Sequence, residues 1–410
     1  MSQEEKMNIL IITQVYFPDT VSVSQHLTDF AERLASRGHS VEVLSSRFGY
    51  DSNDAYSRKA QEKEVCINRI AHTNYNKNYF FFRALNFLTF NLAIFFNLLR
   101  IRRSVDLVIG TTVPPFSALI GLWIAKIKRA PFCFWVMDLQ PELAIASGLL
   151  KDKSISAKFF KTLGDLIIKK SSMLISLDRF MTGYLIERGA TASRISEIPV
   201  WPVSQGFYDG SRNLNPFRVK NKYGDKIVIM FSGNHAHVHP LATLLEVARK
   251  LRDDDRFLFS FVGGGVRREE VTLFKSKYQL NNIVQHEFQP RSSFHISIAA
   301  SDLQVVVLGE GQVGFTHPNK VYGAMFLGKP ILYIGPSSSH VTDILNQLEN
   351  NVVVRHGEVD LLVSQLLAFA DLNENQMVIV GKKNLEYATR HFSPDYLLDR
   401  MVDVVENSQL

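Results

Sequence analysis

The sequence predicts an α/β chain built from two doubly wound, Rossmann-like domains, each around a parallel sheet. Three observations carry that expectation. Short apolar or β-branched runs alternate with helix-length amphipathic stretches from end to end. The runs are apolar on both faces, as strands are when helices cover both sides of a parallel sheet. The rhythm also stops once, at Pro199-Val-Trp-Pro202, and restarts at residue 227 after a polar stretch.

Residues 8–13 (NILIIT) read as the first central strand. Leu27, Phe30, Ala31 and Leu34 then recur at helical spacing, and Gly38 stands where a left-handed residue stops a helix. Further strands are expected at 41–45, 107–110, 132–136, 174–177 and 195–198. In the second half, 227–232, 257–262, 302–308, 331–334 and 352–354 read as strands, and Leu241, Leu244, Leu245, Ala248 and Leu251 line one helix face. Closing helices follow Asn384 and break at Ser393-Pro394. The expected domains are 1–203 and 204–385, with 386–410 packing back towards the first. Ligands of such sheets bind beyond the carboxyl ends of the strands, so two facing domains would hold them in a cleft.

Composition narrows the function. Of 410 residues, 46% are hydrophobic and 21% charged, which excludes disorder as the main theme. With 46 basic and 40 acidic side chains, the net charge of +6 argues against nucleic-acid binding. Cys66 and Cys133 are too few and too far apart for a disulfide framework or a thiolate zinc site, which points to a reducing, cytoplasmic compartment. The apolar run near the N-terminus is shorter than a signal-peptide core. Residues 80–99 (FFFRALNFLTFNLAIFFNLL) are as long as a membrane span but are interrupted by Arg83, Asn86, Asn91 and Asn97. Three readings stand: a buried helix, a span, or an interfacial helix whose Phe and Leu side chains enter the headgroup region while Arg83, Arg100, Arg102 and Arg103 meet anionic lipid.

Several strand-to-helix turns suit an anion. Ser232-Gly233-Asn234 precedes a helix with Pro240 near its start, which is either a tight turn needing glycine or a phosphate site. Val262-Gly263-Gly264-Gly265 ends the next strand without dinucleotide-motif spacing. Gly309-Glu-Gly-Gln-Val-Gly314 and Phe315-Thr-His-Pro-Asn-Lys320 precede a short helical run, where Lys320 and His317 would place positive charge on a diphosphate. His235, His237 and His239 alternate on a loop and match no metal-ligand spacing. Asp138 and Glu142 stand one helical turn apart after a strand. Either Asp138 caps the next helix with Glu142 on the surface, or Asp138 orients or deprotonates an acceptor hydroxyl beside Glu142.

The order of Tyr16-Phe-Pro18, ERLASRGHSVEVLSS, WVMDLQPELAIASGLL, FSGN…HPLATLLEVARKL, FVGGGVRREEV and HPNKVYGAMFLGKPILYIG resembles the large bacterial family of retaining glycosyltransferases with the two-Rossmann, GT-B fold. It is most similar to the branch that builds exopolysaccharide, capsule and O-antigen. The resemblance implies a metal-independent enzyme with no cofactor. Its donor, a nucleotide sugar with UDP-sugar favoured, would bind the C-terminal domain, and its acceptor, a saccharide and in this branch a lipid-linked one, the N-terminal domain. Carried over by position, Gly233, Asn234, His239, Gly264, Gly265, Glu310, Pro318, Asn319 and Tyr322 would bind the donor. His317 and Lys320 would stabilise the departing diphosphate with Asp138 acting on the acceptor. Tyr16, Pro18, Ser22, Ser24 and Glu142 would bind the acceptor. The family's usual glutamate pair is absent, with Phe315 and Gly323 at its positions, and Glu310 stands near enough to replace one member. Two other readings remain: a non-hydrolysing sugar-nucleotide epimerase, and a non-catalytic partner subunit. The expected place of work is the cytoplasmic face of the membrane, with peripheral contact through Phe80–Arg103.

Overall fold

The computed structural model describes residues 6–50, 54–75, 80–97, 104–202, 206, 208, 210–372 and 374–407. The chain folds as two compact units. One takes in residues 1–200, 314–317 and 394–410, and the other residues 201–313 and 318–393. The closing helices therefore divide, with Glu374–Phe392 in the second unit and Pro394–Glu406 in the first.

The first unit holds strands β1 (Asn8–Ile12), β2 (Ser40–Ser46), β3 (Lys59–Glu62), β4 (Val65–Ile70), β5 (Leu107–Thr111), β6 (Phe132–Trp135), β7 (Met173–Ser176) and β8 (Ile195–Glu197). They line up as β3-β4-β2-β1-β5-β6-β7-β8. Every neighbouring pair is parallel except β3 with β4. Two of these strands go beyond the sequence reading. Lys59–Glu62 alternates exposed and half-buried residues at the sheet edge, so it lacks the double-sided apolar signature of a covered strand. Val65–Ile70 (VCINRI) alternates inward and outward residues beside it.

The second unit holds β9 (Ile227–Ser232), β10 (Phe257–Val262), β11 (Ile283–His286), β12 (Leu303–Val307), β13 (Ile331–Ile334) and β14 (Val352–Val354), ordered β11-β10-β9-β12-β13-β14 and parallel throughout. The edge strand β11 (IVQH) is the one without a strong sequence signal. The expected fold class, α/β with two Rossmann-like sheets, is borne out.

Helix Ser22–Ser36 shows why the pattern folds as it does. Leu27, Phe30, Ala31 and Leu34 are fully buried against the first sheet. Gly38, at φ +94°, turns the chain so that its N–H and that of His39 reach the carbonyls of Ala35 and Leu34. The same helix receives Pro394–Glu406, which buries Leu397, Leu398, Met401, Val402 and Val405. Arg33 and Arg37 pair with Asp399, and His39 Nε2 meets Glu406 at 2.9 Å.

Helix Phe80–Phe96 is buried along one side only. Asn86, Phe90 and Ile94 are buried, while Leu88, Leu92, Phe95 and Phe96 are exposed. Asn91 and Asn97 donate to the carbonyls of Phe87 and Ala93 one turn back, while the buried Asn91 Oδ1 has no partner among the described residues. Among the described residues no helix is long and apolar enough to cross a membrane. Arg100, Arg102 and Arg103 lie outside the described residues.

Asp302 anchors the second sheet at the amino ends of its strands. It accepts from the Val228 N–H at 2.8 Å and pairs with Arg212 and with the fully buried Arg218. Burial by itself would raise its pKa, but the two guanidiniums outweigh that and hold the carboxyl below its ordinary range. Asp302→Ala leaves Arg218 buried without a counter-ion, and the expected loss is about 3–5 kcal/mol of stability in urea unfolding.

Candidate functional site

In the second unit, the carboxyl ends of β9 and β10 turn on glycines that let backbone approach backbone. Gly233 and Gly263 have φ of +112° and +122°, and a Cβ on Gly263 would stand 2.2 Å from the Gly233 carbonyl oxygen. Gly265, at φ +127°, lies under Asn234, whose Oδ1 would meet a Cβ there at 2.4 Å. The His235 N–H donates to the Gly264 carbonyl, tying the two turns together.

Lys320 reaches into this corner. Its Cε would meet a Cβ on Gly233 at 3.0 Å, so glycine makes room for the side chain. Its Nζ sits 3.7 Å from the centroid of the Phe231 ring and, although buried, makes no hydrogen bond. Burial pushes the amine down to about 7. Two imidazoles share the space. His239 Nδ1 is 2.7 Å from the Val307 carbonyl and His235 Nδ1 is 3.1 Å from that of Gly233, so in each neutral ring Nδ1 is the donor, and the buried His235 Nε2 has no partner among the described residues. Burial, reinforced by the Lys320 charge, lowers His235 to about 4 and His239 well below its ordinary value. The corner thus gathers three cation-forming groups and keeps them neutral or easily neutralised, which is the electrostatics of a site that takes an anion.

The other predicted donor residues flank this corner. Asn319 stands at the start of the seven-residue helix Lys320–Phe326 without a side-chain capping bond, Pro318 precedes it, and Glu310 is exposed in the turn after β12. Tyr322 faces the opposite way, buried against Phe392 with ring centroids 4.7 Å apart.

The first unit builds a second cluster on Asp178. Asp178 Oδ1 accepts from the N–H groups of Phe180 and Met181, capping helix Arg179–Glu187, while Oδ2 lies 2.8 Å from His317 Nδ1. Both side chains are buried. The residues just before His317 are fixed one by one. The Phe315 carbonyl accepts from the Leu139 N–H, its ring meets Tyr184 edge-on, and Thr316 Oγ1 donates to Asp138 Oδ1 at 2.8 Å. Burial raises the Asp138 pKa against the lowering effects of Thr316 and His317, which makes this carboxylate a better proton acceptor than an exposed one.

Asp138 does not cap the helix that follows, and Glu142 is buried, accepting from the Tyr184 hydroxyl. Both line a narrow cavity of about 30 Å³ with Thr111, Thr112, Gln140 and Lys161, room for little more than a water molecule. Ser22 and Ser24 fall in the first turn of helix Ser22–Ser36 rather than in a loop. Tyr16 is buried, which raises its pKa, and Pro18 follows a cis peptide bond.

Sequence reasoning passed over Asp178, Thr316 and Phe231. The signal for Asp178 was present, a carboxylate at a helix start directly after a strand. Phe231 and Thr316 carry no signature of their own, because their roles come from neighbours distant in sequence.

Residues 23–201 match the model of the Glycosyl transferase 4-like domain. This stretch is similar to a glycosyltransferase domain. Two curated relatives agree. Glycosyltransferase WbjE of Pseudomonas aeruginosa is 25% identical over 251 residues, 60% of this chain and 62% of its own length. Glycosyl transferase WcaI of Escherichia coli K12, named for colanic acid biosynthesis, is 21% identical over 97% of this chain and 99% of its own. In fold, the chain is similar to Anabaena HepE, solved with UDP and glucose, at a TM-score of 0.73 and 13% identity, covering 98% of this chain and all of that one. The resemblance to the exopolysaccharide branch of the GT-B glycosyltransferases is thereby borne out.

The buried Lys320 makes stability depend on pH with a definite sign. Its folded pKa lies below its unfolded value, so between about 7 and 10.5 the unfolded chain binds more protons and stability rises with pH. Lys320→Met should therefore raise the melting temperature at pH 6, and the gain should vanish by about pH 10. A gain of equal size at both pH values would show that the amine is not neutralised in the folded protein.

Proposed function

We propose that this glycosyltransferase moves a sugar from a nucleotide diphosphate sugar, with UDP-sugar favoured, to a saccharide acceptor carried on a lipid, with retention at the anomeric carbon, in the assembly of a cell-surface polysaccharide. The observation that carries the donor half is the buried, unbonded Lys320 amine among the glycine turns of the second unit. The names of WcaI and of the HepE complex with UDP and glucose support the pathway class and the donor class.

In the second unit, Gly233, Asn234 and the turn at Gly264-Gly265 bring backbone and amide groups to the nucleotide diphosphate. Lys320 supplies the positive charge that offsets the negative charge growing on the diphosphate oxygen as its bond to the anomeric carbon breaks. In the first unit, Asp138 and the His317–Asp178 pair orient the acceptor hydroxyl. The new bond forms from that oxygen to the anomeric carbon, and its proton leaves with the diphosphate oxygen on the same face. The protein's own amine provides the counter-charge, so the reaction needs no metal.

The acceptor's lipid brings in the membrane. Leu88, Leu92, Phe95 and Phe96 form an exposed apolar face on helix Phe80–Phe96, and Phe95 stacks on the exposed Trp123 of helix Ser117–Lys128 at 4.7 Å. Exposed Ile127, Lys126 and Arg129 lie beside Trp123 at the end of that helix. Apolar and basic groups together suit an anionic bilayer surface, which supports a place of work at the cytoplasmic face of the membrane.

The expected outcomes are specific. A UDP-sugar among a panel of nucleotide sugars raises the melting temperature, by about 2.7 kcal/mol of stabilisation at 100 times its Kd. Lys320→Ala lowers turnover tenfold or more, about 1.4 kcal/mol or above at the transition state, and chelators leave turnover unchanged. Product NMR shows the donor's anomeric configuration retained. Wild type sediments with anionic liposomes, and Phe95→Ser with Phe96→Ser reduces that binding. The absent glutamate pair favours one rival, a non-catalytic partner subunit, for which no donor would be consumed with any acceptor.

A further inference from the structure

The second unit buries the Lys320 amine with nothing to balance a charge on it. Nζ lies 3.7 Å from the centroid of the Phe231 ring and has no hydrogen-bond acceptor among the described residues. The titratable and charged groups around it come from three elements. On the turn after β9, His235 and His239 each commit Nδ1 to a backbone carbonyl. At the start of the helix after β10, Arg268 acts on His235 and Arg267 on His239, and these two guanidiniums are already paired, with Glu287 and Glu270. On the turn after β12, Glu310 is exposed to solvent. Among the described residues no carboxylate pairs with Lys320.

An ammonium in these surroundings loses its water and finds no acceptor in exchange, so the empty corner tolerates the neutral amine better. A diphosphate reverses that balance. It brings negative charge to the amine, and its oxygens accept the hydrogen bonds that Nζ does not make with the protein. We infer that the nucleotide diphosphate enters this corner together with a proton, which the Lys320 amine takes up from solvent, so that the positive charge is assembled on binding. The inference rests on the donor reading above and adds the protonation state of its central group. One N–H bond forms on Nζ and the surrounding buffer loses one proton. The imidazoles are not the destination in mildly alkaline solution, since burial holds His235 at about 4 and His239 well below its ordinary value. The sign follows from linkage. Burial leaves the empty amine at about 7, so above that pH most of the empty protein lacks the proton, and affinity for the diphosphate falls as pH rises.

The test counts protons. UDP is titrated calorimetrically into wild type at pH 8 in HEPES and in Tris, whose ionisation enthalpies differ, so the difference in observed heat gives the protons drawn from the buffer. The expected count is close to one per UDP at pH 8 and about half that at pH 7. Between pH 7.5 and 8.5 the Kd for UDP should rise about eightfold. In Lys320→Arg, which keeps its charge at every pH and so retains binding, the count should fall to zero and the Kd should become level over that range. Lys320→Met, neutral at every pH, should bind more weakly and likewise take up no proton. UDP binding by wild type at pH 8 without proton uptake overturns the inference and leaves the donor site standing. An undiminished count in Lys320→Arg also overturns it, because the proton would then go to an imidazole or to the nucleotide. If wild type binds no UDP, the donor reading falls, and this inference with it.

Discussion

An amine buried without a counter-ion sets the terms for the second unit. Lys320 lies on the face of Phe231 with no acceptor for its protons, beside two imidazoles fixed in their neutral tautomers by backbone carbonyls. Such an arrangement costs folding free energy that the sheet and its helices must cover. Glycine at 233 is part of the same constraint, since its φ of +112° suits glycine and a Cβ there would crowd the Lys320 stem at 3.0 Å. Fold and chemistry are therefore coupled at one residue. What destabilises the empty protein favours whatever anion relieves it.

The first unit solves a different problem with one carboxylate. Asp178 satisfies the orphan N–H groups at a helix start with one oxygen and orients His317 with the other. A residue in two such roles fixes its ring partner without added loop structure. Asp138 gains its raised basicity in the same region from burial, while Thr316 holds one oxygen in place.

Much of this was legible in the sequence. The covered strands announced themselves because parallel sheets bury both faces, which writes apolar runs such as IVIMFS and FLFSFV. The edge strands β3 and β11 did not, because an edge needs only half a hydrophobic pattern. Glycine turns and Lys320 could be read as an anion site from composition alone. The partner of His317 could not, since Asp178 lies 139 residues away and nothing local links them. The environment of Tyr322 was likewise invisible: helical spacing puts it near Lys320, but packing against Phe392 turns it inward.

Residues 314–317 belong to the first unit although the chain on both sides of them belongs to the second. The polypeptide therefore passes between the units four times rather than once, counting the returns at 200/201 and 393/394. Neither unit is a contiguous stretch of gene. A fragment starting at residue 201 would carry the Phe315-Thr316-His317 strap away from Leu139, Asp138 and Asp178, its bonding partners, and would leave those three groups facing solvent in the complementary fragment. Domain exchange between relatives of this chain would meet the same obstacle: a graft at the obvious linker mixes a strap from one parent with sockets from the other, so compatible chimaeras must keep Asp138, Asp178 and residues 314–317 from a single source.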